Sequence, residues 1–218
     1  MVATAIKEKN DVKTLANGKA HKTSAKSTVK SNGVHGFVSM ETYYAKYRNR
    51  EDGFKYEWLD GKIEKTVKSL NDAQSHIAHN LTALFFRLLF AGKIEGSFQT
   101  EKDTFVEGRR IRIPDMCYLN PQQAYEAAHD GHPVADFMIE VVSTHDKIED
   151  YEDKLHDYFV AGVKVVWWIF PKQEKVYVFT DDKRAIICSG EMVCSANPVL
   201  PDFQLTASAL FKKPEKPQ

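Results

Sequence analysis

A strand–helix–strand unit over residues 135–170 constrains this chain most. Residues 135–142 are apolar enough for a central strand, yet they carry a lone glutamate, Glu140. Residues 148–161 follow with Ile148, Tyr151, Leu155, Tyr158 and Phe159 at helical spacing. Gly162 closes that helix. Residues 163–170 form a second strand as apolar as the first, stopped by Pro171. Two apolar strands joined by an amphipathic helix predict a βαβ unit inside a mixed sheet, and hence an α/β (α+β) fold. Lys154 falls at the margin of the helix's apolar stripe. Its stem can run along the core while its ammonium reaches past it.

The remaining pattern surrounds this unit. Ser39 reads as the N-cap of a short helix over 39–48. Tyr56, Glu57, Trp58 and Leu59 are followed by Asp60-Gly61 and by Lys62 to Lys65, the signature of a hairpin with a tight turn. Residues 72–91 predict an amphipathic helix through Ile77, Leu81, Leu84, Phe85 and Leu88, stopped by Gly92. His76 and His79 lie near its start. His76 is a candidate substrate-binding residue; a surface or capping role is the alternative. Residues 97–106 and 110–119 predict two strands around a Glu107-Gly108 turn, with Ile113, Asp115 and Cys117 on one face. Pro114 cannot donate to a ladder, so an irregularity is expected beside Asp115. Residues 121–133 predict a polar connector with a short helical piece. Residues 175–180 and 184–189 predict further strands, 197–202 a loop, and 206–211 a terminal helix.

Composition separates the first 35 residues from the rest. They hold seven lysines against Glu8 and Asp11 and no aromatic residue. Such a segment buries too little apolar surface to offset its chain entropy. A disordered basic extension over 1–35 is expected, with contact to nucleic acid as the sharper alternative. The whole chain has a formal net charge of +0, so no global basic signal points to nucleic acid. Arg109, Arg110 and Arg112 with Lys102 make a modest local patch that a solvated hairpin tip explains equally well. Cys117, Cys188 and Cys194 have no metal-ligand spacing and read as buried thiols in a reducing compartment. No apolar run is long enough to span a membrane, and the N-terminus lacks a secretory apolar core, so a cytoplasmic protein is expected.

Glu57, Asp115 and Glu140 are the acids that packing explains least. Burying an ionised carboxylate is costly unless it is paired. Several converging carboxylates repel each other unless a cation lies between them. Oxygen ligands suit Mg2+ or Mn2+, and a bound divalent ion lowers the pKa of its water. A neighbouring lysine can orient or deprotonate that water, or neutralise developing charge. Separate salt bridges for each acid are the competing explanation.

Taken in order, these motifs resemble the Uma2 family. They are Tyr56-Glu57-Trp58-Leu59-Asp60-Gly61, Ser75-His76, Pro114-Asp115, Glu140-Val141-Val142-Ser143, Lys154 with Tyr158, Ala161-Gly162-Val163, Trp167-Trp168, Pro171 and Leu200-Pro201-Asp202-Phe203. The resemblance covers about residues 36–212, leaving 213–218 as a tail. It implies a PD-(D/E)XK restriction-endonuclease-like core, a mixed β-sheet flanked by helices, and Mg2+- or Mn2+-dependent hydrolysis of DNA by an endonuclease. By position it implies Asp115, Glu140 and Glu57 as metal ligands, with the Val141 carbonyl as an extra one. The usual lysine would stand two residues after Glu140, where this chain has Val142. The resemblance therefore moves the catalytic lysine to Lys154, with Lys147 as competitor and Tyr158 lining the site. A homodimer is also expected. The alternatives are a catalytically silent nuclease fold that binds nucleic acid or protein, and a structural dimer module packed through Trp167 and Trp168.

Overall fold

The computed structural model describes residues 36–67, 75–143 and 148–216. The basic segment 1–35, the start of the helix expected from residue 72, the capping residues Thr144 and Asp146, and Lys147 lie outside the described residues.

The hairpin forms as its turn residues dictate. Strands β1 (Phe54–Leu59) and β2 (Lys62–Val67) pair antiparallel around Asp60 and Gly61, whose φ values of 50° and 81° define a turn that matches strand twist. Helix α1 (Met40–Tyr43) starts at Ser39, whose hydroxyl accepts the Thr42 N–H. The expected 39–48 helix does not stay regular: Tyr44–Arg48 is a π-helical turn. Tyr43 and Trp58 explain why this element docks on the hairpin. The Tyr43 hydroxyl donates to the Tyr56 carbonyl at 3.0 Å, and the Trp58 indole donates to the Val38 carbonyl at 2.7 Å.

Helix α2 (Ser75–Phe90) buries Ile77, Leu81, Leu84, Phe85 and Leu88. Each contributes roughly 1.5–3 kcal/mol on burial, far more than helix propensities differ, so packing holds this helix. Gly92, at φ 65°, ends it; the Lys93 N–H returns to the Leu88 carbonyl at 3.0 Å.

The next segments differ from expectation. Residues 97–106 split into β3 (Ser97–Thr100) and β4 (Thr104–Val106), and 110–119 into β5 (Arg110–Arg112) and β6 (Met116–Leu119). β3 pairs with β6 in one sheet, while β4 and β5 pair in another that β1 and β2 complete. Ile113, Pro114 and Asp115 form the break, where Pro114 cannot extend a ladder. Asp115 therefore stands in the corner between two sheets rather than on a continuous strand.

Asn120 caps α3 (Pro121–Ala128) in a capping box with Gln123. The βαβ unit forms as predicted. β7 (Phe137–Val141) and β8 (Val165–Phe170) are parallel and joined by α4 (Ile148–Ala161). β9 (Lys175–Phe179) and β10 (Ala185–Ser189) follow, giving a six-stranded mixed sheet in the order β10-β9-β8-β7-β6-β3. β11 (Val193–Ala196) and β12 (Leu200–Thr206) make a separate pair where the sequence suggested only a loop at 197–202. Thr206 caps α5 (Ala207–Phe211).

The six-stranded sheet separates two cores. Ile139, Val141, Trp167 and Ile169 face α2, α5 and β12. Met138, Val166 and Trp168 face Tyr151, Leu155 and Tyr158 of α4. Side chains alternate along a strand, so Glu140 points to the α4 side. That side also meets the four-stranded sheet, since α4 contacts β4.

Candidate active site

Glu57 from β1, Asp115 from the sheet-to-sheet corner, Glu140 from β7 and Lys154 from α4 converge in one buried cluster. The three acids are 2%, 4% and 1% exposed. The Lys154 ammonium lies 2.7 Å from Glu140 Oε1 and 3.0 Å from Glu57 Oε1, and donates to the Ile113 carbonyl at 3.3 Å. Its place at the edge of the helical stripe thus delivers the charge as the sequence suggested. Tyr158, one turn further along α4, donates its hydroxyl to the same Glu140 oxygen. Both partners of Glu140 therefore meet Oε1. Asp115 accepts the Val141 N–H on Oδ2 at 2.8 Å.

Five further charged residues, Lys55, Glu64, Arg110, Arg112 and Asp157, join the cluster, and sequence reasoning placed none of them there. Lys55, two residues before Glu57 on β1, is buried and pairs with Asp115 Oδ1. Arg112, which the sequence left open between a local basic patch and a solvated hairpin tip, is only 3% exposed. Its guanidinium spans Glu57 at 3.0 Å, Glu64 at 2.8 Å and Asp157 at 2.7 Å. Glu57 and Glu64 face each other across the β1–β2 ladder, a repulsive arrangement that Arg112 relieves. Asp157, on α4 beside Tyr158, also receives Arg110 from the surface at 2.7 Å. Strand alternation was the available signal: Lys55 shares a face with Glu57, and Arg110 shares one with Arg112.

The electrostatics follow from this wiring. Burial alone would raise the Glu57 carboxyl, but Lys154, Arg112 and Lys55, with the Ile113 N–H at 2.7 Å, pull it down to about 2. Glu140 goes the other way. Its burial outweighs Lys154, and Asp115 adds repulsion, so its carboxyl is raised. Burial disfavours the charged Lys154 ammonium, yet Glu140 and Glu57 hold it above the ordinary lysine value. It is a cation at neutral pH. Burial and the adjacent Glu140 raise the Tyr158 phenol well above its usual value, so it stays a neutral donor.

The signs give a stability prediction. The Glu57 carboxyl is depressed from 4.5 to about 2 on folding, so its contribution is present above pH 4.5 and is lost as pH falls towards 2. That contribution is on the order of 3 kcal/mol. Glu140 is raised, so its contribution has the opposite sign and fades as pH rises through its folded value. In urea unfolding across pH 5 to 2, Glu57→Gln should flatten the acid loss of stability, whereas Glu140→Gln should leave it. Equal acid limbs in wild type and Glu57→Gln would contradict the wiring.

His76 lies apart from this cluster. It is on α2, which packs against the opposite face of the six-stranded sheet, and it lines a groove with His79, Asn80, Lys212 and Lys213. Trp167 belongs to that opposite core too, its indole donating to the Ser195 carbonyl at 3.3 Å. Trp168 stands directly across from Glu140 in the β7–β8 register, and its buried indole N–H has no hydrogen-bond partner. Among the described residues, no three His, Cys, Asp or Glu side chains are arranged to hold a metal ion by themselves.

Two adjoining sheets, with acids on a strand and at a corner beside a helical lysine, are the framework of a restriction-endonuclease-like fold. A solved structure described as a putative nuclease of the DUF820 family, from Anabaena variabilis, superposes with a TM-score of 0.61. It is 16% identical, over 72% of this chain and 89% of that one, a likeness of fold. The Uma2 family profile, described as "putative restriction endonuclease", matches residues 40–208. The chain belongs to the Uma2 family. No functionally curated protein matches it. Among the described residues no helix is long and apolar enough to cross a membrane.

Proposed function

We propose that this chain is a Mg2+- or Mn2+-dependent endonuclease that hydrolyses phosphodiester bonds of DNA at the Asp115–Glu140–Lys154 cluster. The observation that carries this reading is the convergence of two buried acids and an ammonium at a sheet corner.

The donor set fits such an ion. Mg2+ is usually held by one or two carboxylates and keeps several waters. Asp115 and Glu140, with the Val141 carbonyl, supply that set. Glu57 is already engaged by Arg112, Lys154 and the Ile113 N–H, so its role here is to hold Lys154 in place. When bound, the metal would acidify a water and polarise the phosphate. Lys154 remains protonated and offers positive charge to the developing phosphorane. Tyr158 fixes the Glu140 carboxylate by one oxygen. The unpartnered Trp168 indole beside Glu140 suits a water or phosphate oxygen as acceptor.

A second reading is favoured by the same salt bridges: carboxylates satisfied internally suit a silent nuclease fold that only binds nucleic acid or protein. Plasmid DNA incubated with the full chain and Mg2+ or Mn2+ separates the two. Nicking that Asp115→Asn and Glu140→Gln each abolish supports the enzyme. Absence of nicking in wild type with both ions supports the binding module.

A further inference from the structure

Asp115 already holds a cation. Lys55 comes from β1, is as buried as the acids it serves, and pairs its ammonium with Asp115 Oδ1. The same ammonium donates to the Ile113 carbonyl at 3.1 Å, the oxygen that Lys154 reaches from the other side at 3.3 Å. The Asp115 carboxylate is thus gripped between this ammonium on Oδ1 and the Val141 N–H on Oδ2. Lys55 has no part in the reaction proposed above, and an exposed strand lysine would not need a buried partner.

A divalent ion bonds a carboxylate oxygen at about 2.1 Å, closer than any ammonium. Placed on Asp115, it would stand beside the Lys55 charge in a buried site where repulsion is weakly screened. The two cations therefore compete for one carboxylate. Without metal, Lys55 also spares Asp115 the cost of an unpaired buried charge.

Resting on the reading of Asp115 as a metal ligand, we propose that Lys55 is a resident counter-cation that a divalent ion must displace from Asp115, so that metal loading is an exchange and Lys55 sets the affinity. The neutral substitution Lys55→Gln removes the competitor and keeps a donor near the Ile113 carbonyl. Lys55→Arg keeps the charge.

The test is Mn2+ binding to the metal-free full chain at fixed pH, read from the electron paramagnetic resonance of free Mn2+. Lys55→Gln should bind at least about tenfold tighter than wild type, and Lys55→Arg should stay near wild type. Should Lys55→Gln fail to fold without metal, the Mn2+-induced rise in its melting temperature reads the same exchange and should exceed that of wild type. A smaller or equal rise contradicts it. Wild-type binding that Lys55→Gln leaves unchanged or weakens overturns the exchange alone. The same tightening in Lys55→Arg also overturns it, because shape rather than charge would then be responsible. No Mn2+ bound by wild type or either variant overturns the metal site itself, and the exchange with it.

Discussion

On the proposed endonuclease reading, Lys154→Met should lower the rate of phosphodiester cleavage by roughly 10²–10⁴-fold while Mn2+ binding is retained. The size follows from what the ammonium touches. It lies within 3.0 Å of both Glu57 and Glu140, in a pocket almost closed to water. Charge offered there is worth far more than at a surface. Two residues after Glu140, where the family resemblance would place a lysine, stands Val142; Lys147, the competitor for the role, lies outside the described residues. Methionine keeps the stem's packing and removes the charge, so the loss reports electrostatics. Metal binding should persist because Asp115 and Glu140 remain, and removing a cation does not weaken their hold on another. Single-turnover cleavage with saturating Mn2+ makes the comparison. A rate within tenfold of wild type would remove Lys154 from the chemistry and leave it a structural partner of Glu57.

Arg112→Leu should have the largest effect on stability, about 3–5 kcal/mol. One guanidinium serves Glu57, Glu64 and Asp157, and two of those acids are buried. Removing it leaves Glu57 and Glu64 facing across the β1–β2 ladder with Lys154, beside Glu57, left to offset their repulsion. Asp157 would keep only Arg110, reaching in from the surface. Breaking a buried ion pair from one side costs more than the pair contributes, because the stranded charge stays desolvated. Domains of this kind are stable by roughly 5–15 kcal/mol, so this single change takes a large share. Thermal unfolding should show a fall of about 6–20 °C. A shift of less than 2 °C would mean that water reaches these carboxylates.

The pattern of elements was largely legible, because it depends on local period and turn chemistry. Asp60-Gly61 dictated the hairpin, Gly92 the end of α2, and the apolar runs around Lys154 the parallel βαβ unit. The break at Ile113-Pro114-Asp115 was readable only as an irregularity. That the chain there changes sheets depends on pairing between distant strands, which no local pattern encodes. The last strand pair was missed because Pro198 and Pro201 read as loop residues. In the site, Glu57, Asp115 and Glu140 could each be picked out as acids that packing does not explain, whereas Glu64 and Asp157 were not. Lys55 and Arg112 were passed over despite the alternation that puts Lys55 on the face of Glu57, because basic residues on short strands read as solvent-facing until their partners are known. His76 illustrates the reverse: chemistry-bearing and near a helix start, yet folded onto the other side of the sheet.

The most direct measurement is an anomalous difference map from a crystal of the full chain soaked in Mn2+. A single peak contacting Asp115 and Glu140, with Lys154 still beside Glu140, is the predicted result. No peak at that corner, with Asp115 still paired to Lys55 at saturating Mn2+, would contradict it.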